Sequence, residues 1–173
     1  MFPSALQDEA TRLLDAFRAR RMRIATAESC TGGLIAALLT QIPGSSDVVE
    51  RGFVPYCNAA KVEMLGVAAD LIAVHGAVSE AVARAMAEGA LRASQADISI
   101  AVTGVTGPGG GSAAKPVGLV HVAAGRKGGA TLHQECRFGD IGRDAIRVAS
   151  VEVALALLRQ ALDSYTPDAA AAP

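Results

Sequence analysis

Three stretches of this 173-residue chain carry residue types that could do chemistry. In TAESCTGG, residues 26–33, a serine stands between a short apolar run and two glycines. A serine at a strand-to-helix turn can hold its hydroxyl beside backbone N–H groups that no helical carbonyl accepts. Ser29 would then be a nucleophile, and the N–H groups around Cys30, Thr31 and Gly32 an oxyanion site. The plainer alternative is that Ser29 or Thr31 caps the following helix. In RGFVPYCNAAK, residues 51–61, Tyr56 and Lys61 lie across a strand-helix junction. A lysine partly removed from water has its charged form disfavoured and can act as a base near neutral pH. An exposed lysine on a short helix is the simpler reading.

The third stretch is TGVTGPGGGS, residues 103–112, with Lys115 beyond it. Dense glycine lets a backbone approach a ligand and aim N–H groups at an anion such as phosphate. The spacing matches neither the P-loop nor the dinucleotide-binding fingerprint. Its place after a buried strand is where α/β ligand loops sit, with a flexible surface loop as the alternative. Farther on, Arg143 and Arg147 open the last helical run. A helix start disfavours cations, which points to an anionic partner, unless these are ordinary exposed pairs with Asp140 or Asp144.

The elements around these stretches alternate. Ser4 and Gln7 read as a capping box for an amphipathic helix through Leu6, Ala10, Leu13, Leu14 and Phe17, ending near Arg21. Strands are expected at Arg23–Ala27, Val48–Tyr56 and Asp97–Thr103, the last a continuous apolar run covered on both faces. Helices are expected from about Gly33 to Leu39, from an Asn58 cap through Lys61, from Ser79 to about Gln95, and from Arg143 to Leu162. Gly118–Ala124 and Thr131–Phe138 read as a hairpin. The pattern predicts an α/β fold, a single layered domain over residues 1–163 with a central mixed sheet flanked by helices. Residues 164–173 read as a disordered tail.

Composition narrows the function classes. Net charge is −1 and aromatics are 3% without tryptophan, so neither a basic patch nor stacking rings suggest nucleic acid. No apolar run approaches the ~20 residues of a membrane span. No export leader is visible, and the three cysteines, Cys30, Cys57 and Cys136, read as reduced thiols in the cytoplasm. His75, His121 and His133 show no metal-ligand spacing, so no metal is expected and the latter two read as structural.

Taken together, TAESCTGG, RGFVPYCNAAK, HGAVSE, the glycine loop, KPVG and the FGD…R…IR run closely resemble the CinA C-terminal domain family from about Leu6 to Leu162. The resemblance implies hydrolysis of nicotinamide mononucleotide to nicotinic acid mononucleotide and ammonia, without metal or organic cofactor, by what looks like the stand-alone form of the family. It implies Ser29 as nucleophile, Lys61 as base with Tyr56 in the relay, and Thr103 and Arg143 as further site positions. On that reading Cys30 and Thr31 supply oxyanion N–H groups, and the loop carrying Gly107, Gly109, Gly110, Gly111 and Ser112 receives the 5′-phosphate. Glu28 would balance the pyridinium charge. Pro55 and Cys57 depart from the expected Thr and Ser, and two extra residues separate Asp140 from Arg143. A homodimer is a further expectation. The alternatives are a module that binds a phosphorylated nucleotide without cleaving it, linked to competence or DNA damage, and an enzyme with Cys30 as nucleophile.

Overall fold

Two parallel strands that end side by side create the place where the candidate residues meet. The computed structural model describes residues 2–165. The sheet holds β1 (Ile24–Glu28), β2 (Val49–Phe53), β3 (Ile98–Gly104), β4 (Leu119–Arg126) and β5 (Leu132–Arg137), in the order β2-β1-β3-β4-β5. β1 runs parallel to β2 and β3, while β3–β4 and β4–β5 are antiparallel. The sheet is therefore mixed, as the sequence predicts. In open α/β sheets the carboxyl ends of neighbouring parallel strands frame a crevice. Here those ends deliver Ser29 after β1, Gly104 at the end of β3, and Tyr56 beyond β2.

Helices cover both faces. Against one lie α1 (Ser4–Ala19), α2 (Leu34–Gln41) and α6 (Arg143–Asp163), whose core with the sheet is built from large aliphatics and Phe17. Against the other lie α3 (Asn58–Leu65), α4 (Ala69–His75) and α5 (Glu80–Arg92), over a core rich in alanine. The small residues on the second face let α5 sit close to the sheet and α3 close to α5. No helix among the described residues is long and apolar enough to cross a membrane.

Several local expectations change. Ser4 does not cap α1: Pro3 takes the cap position without a side-chain bond, and Gln7 instead donates its amide to the Phe2 carbonyl at 2.8 Å. Asn58 is the first residue of α3 and not its cap. Cys57 takes that role, its Sγ accepting from the Ala60 N–H at 3.5 Å, so cysteine serves where a serine was expected. β2 stops at Phe53, before Pro55, which has no N–H for a ladder. α4 went unread because its seven residues are too few for a helical period to declare itself. Ser79 does cap α5, accepting from Val82 at 3.3 Å. His121 and His133, on adjacent strands, share a ring-nitrogen hydrogen bond of 3.0 Å, and burial holds both below the usual imidazole range. The tail expected to be disordered falls, from residue 166, outside the described residues.

Gly89 sets the spacing between α3 and α5. A Cβ there would stand 2.1 Å from the Leu65 carbonyl oxygen at the end of α3. Alanine ordinarily favours a helix over glycine by about 1 kcal/mol, but here it must push α3 outward. We expect Gly89→Ala to lower the midpoint of thermal unfolding. An unchanged or higher midpoint would show that α3 is free to shift, and that the alanine-rich face does not fix its place.

Candidate active site

The turn after β1 is built by its glycines. Gly32 and Gly33 adopt φ of +62° and +95°, in the left-handed region that other residues enter at a cost. The Ser29 N–H still continues the sheet, donating to Val102 O at 2.9 Å. The chain then breaks from the ladder, and the N–H groups of Cys30 and Thr31 make no backbone hydrogen bond among the described residues. Glu28 is fully buried and accepts from the N–H groups of Ile35 and Ala36, each at 2.9 Å. Its carboxylate thus caps α2 from inside the core, a favourable place for a negative charge. It lies outside the cleft and is not available to balance a substrate charge.

Lys61 is only 1% exposed. Its Nζ lies 3.0 Å from Ser29 Oγ, 3.0 Å from Pro55 O and 3.3 Å from Tyr56 O. No carboxylate pairs with it among the described residues. Burial pushes its pKa below the ordinary lysine value, opposed by the Cys57 and Cys30 thiols. The two carbonyls have an electronic consequence. A carbonyl only accepts, so in the neutral amine both remaining N–H bonds turn toward Pro55 and Tyr56. The lone pair of the tetrahedral nitrogen is then left facing the Ser29 hydroxyl. The helix start that carries Lys61 and the bend after β2 that presents the carbonyls together aim an amine at a hydroxyl.

Cys30, next to that serine, is chemically quiet. Burial pushes its thiol up to about 12, and thiolate is the reactive form. Cysteine nucleophilic chemistry is disfavoured there.

Ser29 and Lys61 line a cleft of about 330 Å³ with Cys30, Tyr56, Thr103, Gly107, Gly109, Gly110 and Arg143. All of these were singled out in the sequence. Tyr56 enters the site differently from expectation. Its carbonyl holds Lys61, whereas the residue as a whole is 61% exposed and its hydroxyl accepts from Arg143 Nη2 at 3.4 Å. The structure gives no hydrogen bond between that hydroxyl and Ser29 or Lys61. Arg143 Nη1 donates to Thr106 Oγ1 and Gly107 O, both at 2.9 Å, which ties α6 to the glycine loop. Thr103 Oγ1 donates to Ala77 O at 2.9 Å and fixes the connection before α5 as one wall.

Thr31, Gly32, Gly111 and Ser112 lie outside the cleft lining. Thr31 is buried and accepts from Arg147 through its carbonyl at 2.8 Å. Ser112 closes a turn on itself, with its N–H bonded to Lys115 O and its Oγ accepting from Lys115 N. Sequence reasoning passed over Asn58, Ala77, Val78 and Thr106, which do line the cleft. Ala77 and Val78 sit inside the HGAVSE motif, so a signal for them existed. Thr106 carried none of its own, because a threonine within a glycine-rich run reads as loop.

Comparisons with known proteins agree with this architecture. Residues 6–162 match the family model of the CinA C-terminal domain. A CinA-like protein of Anaeromyxobacter sp. (strain Fw109-5) is 49% identical over 162 residues, covering 94% of this chain and 39% of that protein. A CinA-like protein of Mycobacterium sp. (strain JLS) is 55% identical over 140 residues, 80% of this chain and 33% of that protein. The chain thus spans well under half the length of these curated relatives. Among solved structures, a competence/damage inducible protein, CihA, from Agrobacterium tumefaciens superposes with a TM-score of 0.92 at 52% identity, covering 95% of this chain and 99% of the other. A CinA superfamily protein from Klebsiella pneumoniae gives 0.87 at 37%, covering 92% and 99%.

The buried lysine makes a stability prediction. Its pKa in the folded chain is lowered, whereas an unfolded lysine titrates near ~10.4. Between those values the unfolded state binds more protons, so folding is favoured as pH rises through that window and penalised below it. Lys61→Met removes the penalty and keeps the volume. We expect it to raise the unfolding midpoint at neutral pH, with a gain that shrinks as the pH approaches about 10. A midpoint that falls at every pH would mean that the three hydrogen bonds outweigh the desolvation.

Proposed function

The chain belongs to the CinA C-terminal domain family, and we propose that it hydrolyses the carboxamide of nicotinamide mononucleotide to nicotinic acid mononucleotide and ammonia. The observation that carries this reading is the contact of 3.0 Å between Lys61 Nζ and Ser29 Oγ inside a cleft. A module that only bound a nucleotide would have no use for a buried lysine aimed at a serine. Such a group costs stability and is retained where chemistry needs it.

In the proposed reaction, neutral Lys61 takes the Ser29 proton as Oγ attacks the carboxamide carbon. The carbonyl oxygen becomes an oxyanion, stabilised by the N–H of Cys30, which lines the cleft and has no backbone acceptor among the described residues. Donors of this kind are worth about 10²–10³ in rate. The tetrahedral adduct collapses and the C–N bond breaks. Nitrogen takes the proton from the Lys61 ammonium and leaves as ammonia. Water then attacks the acyl-serine ester, losing its proton to Lys61, which returns it to Ser29 as the acid departs. Both halves use one base, and no proton is left unassigned. The permanent pyridinium charge meets no carboxylate at Glu28, which is occupied at α2.

The test is ammonia release from nicotinamide mononucleotide by the purified protein. Ser29→Ala should lose several decades of turnover, and retention of more than about a tenth would remove Ser29 from the mechanism. kcat/KM should rise with pH on a limb set by one group titrating below the ordinary lysine range, in line with the direction at Lys61. Lys61→Arg, which keeps a charge but cannot be deprotonated, should be nearly inactive. Near-normal turnover in that variant would make another residue the base.

A further inference from the structure

Thr106 stands at the glycine-loop end of the cleft with an unusual set of neighbours. Its side chain is almost fully buried, yet the residue lines the cleft. Its Oγ1 accepts a hydrogen bond from Arg143 Nη1 at 2.9 Å and donates to no group among the described residues. A hydroxyl has one hydrogen, and here nothing among the described residues takes it. The lone-pair side is occupied by a guanidinium, which draws electron density from oxygen and makes the O–H a stronger donor.

The surroundings are arranged for an anionic acceptor. The N–H groups of Thr106, Gly107, Gly109 and Gly110 have no backbone acceptor among the described residues. A Cβ added at Gly109 or Gly110 would meet nothing within 4 Å, so a ligand has open approach to that backbone. Arg143 Nη1 is committed to the loop and not open to the anion. Both hydrogens of Nη1 go to Thr106 and Gly107, and Nη2 faces the Tyr56 hydroxyl. Its charge therefore acts through the loop it holds.

We infer that the Thr106 hydroxyl donates directly to an oxygen of the substrate's 5′-phosphate, with Arg143 behind it as a polarising strut. This makes Thr106 a specificity-determining residue for phosphorylated over unphosphorylated pyridine nucleosides, and it rests on the amidohydrolase reading above. Valine matches threonine in shape without the hydroxyl, and serine keeps the hydroxyl without the methyl group, so the pair separates donor from bulk.

The experiment measures kcat/KM of wild type, Thr106→Val and Thr106→Ser on nicotinamide mononucleotide and nicotinamide riboside. Loss of a hydrogen bond to a charged group corresponds to a fall of about tenfold or more. That fall is expected for Thr106→Val on the mononucleotide, mainly through KM. The loss on the riboside should be smaller, so that the preference for the mononucleotide falls about tenfold in Thr106→Val and is largely kept in Thr106→Ser. Equal losses on both substrates would mean a disturbed loop and overturn the inference, as would no loss. A second readout does not depend on hydrolysis: inorganic phosphate should raise the unfolding midpoint of wild type and Thr106→Ser more than that of Thr106→Val. No phosphate effect on wild type, or the same effect in Thr106→Val, overturns the inference even if ammonia is released. A phosphate effect that follows the hydroxyl in a protein that releases no ammonia upholds Thr106 and overturns only the amidohydrolase reading.

Discussion

The constraint on which the site depends is a lysine amine taken out of water with no carboxylate to pay for it. An ion buried without a partner is among the costliest arrangements in a protein interior, and the usual relief is to give up the charge. At Lys61 the surroundings make that relief directional. Two main-chain carbonyls can only accept, so in the neutral amine they hold its hydrogens and leave the free electron pair facing the Ser29 hydroxyl. A carboxylate in place of either carbonyl would instead hold the amine charged. In the proposed reaction, main-chain geometry at Pro55 and Tyr56 takes the orienting part that an acidic residue takes in a Ser–His–Asp arrangement.

That geometry requires three elements to agree within a fraction of an ångström. β1 and β3 are bonded in register to Glu28 and Val102, and Ser29 extends the same ladder before the chain turns away. α3 is then held against α5 by a close approach at Gly89, over an alanine-rich face that keeps the helices near the sheet. The opposite face of the sheet, with its large aliphatic side chains, supplies most of the apolar burial. Stability and positioning are thus drawn from different faces: one is filled with bulk, and the other with residues small enough to set a distance.

How much of this was legible in the sequence follows the same division. The mixed α/β architecture could be read because β3 is a continuous apolar run and the amphipathic period of α1 is strong. Ser29, Lys61 and the glycine loop could be found because their residue types are anomalous for a core. Orientation could not be found. Glu28 looks like a site carboxylate in the string, but alternation along β1 turns it to the α2 side, where two N–H groups claim it. Tyr56 looks like a proton carrier, yet its contribution to Lys61 is a carbonyl, a group every residue has and no sequence pattern marks. Thr106 was invisible for a related reason, since its significance lies in Arg143, 37 residues away.

The glycine loop raises a last physical question, which is how a segment with so little side-chain mass holds its shape. Glycine loses more conformational freedom on ordering than any other residue, so such a loop needs fixed points. The structure provides them at both ends and leaves the middle bare. Near the start, Arg143 bonds Thr106 and Gly107 from α6. Near the end, Ser112 and Lys115 close a turn on each other, and Lys115 Nζ donates to the His75 carbonyl at the end of α4, where the helix dipole favours a cation. Between them a Cβ added at Gly109 or Gly110 would meet nothing within 4 Å, and their N–H groups have no backbone acceptor among the described residues. A backbone held at its ends and left open between them has met most of its ordering cost before a ligand arrives. Pre-organisation of this kind lets weak main-chain donors contribute to binding. On the proposed reading, the held amine of Lys61 and the anchored loop are therefore two answers to one requirement: each polar group that a substrate is to meet must be held in place by groups that the substrate does not touch.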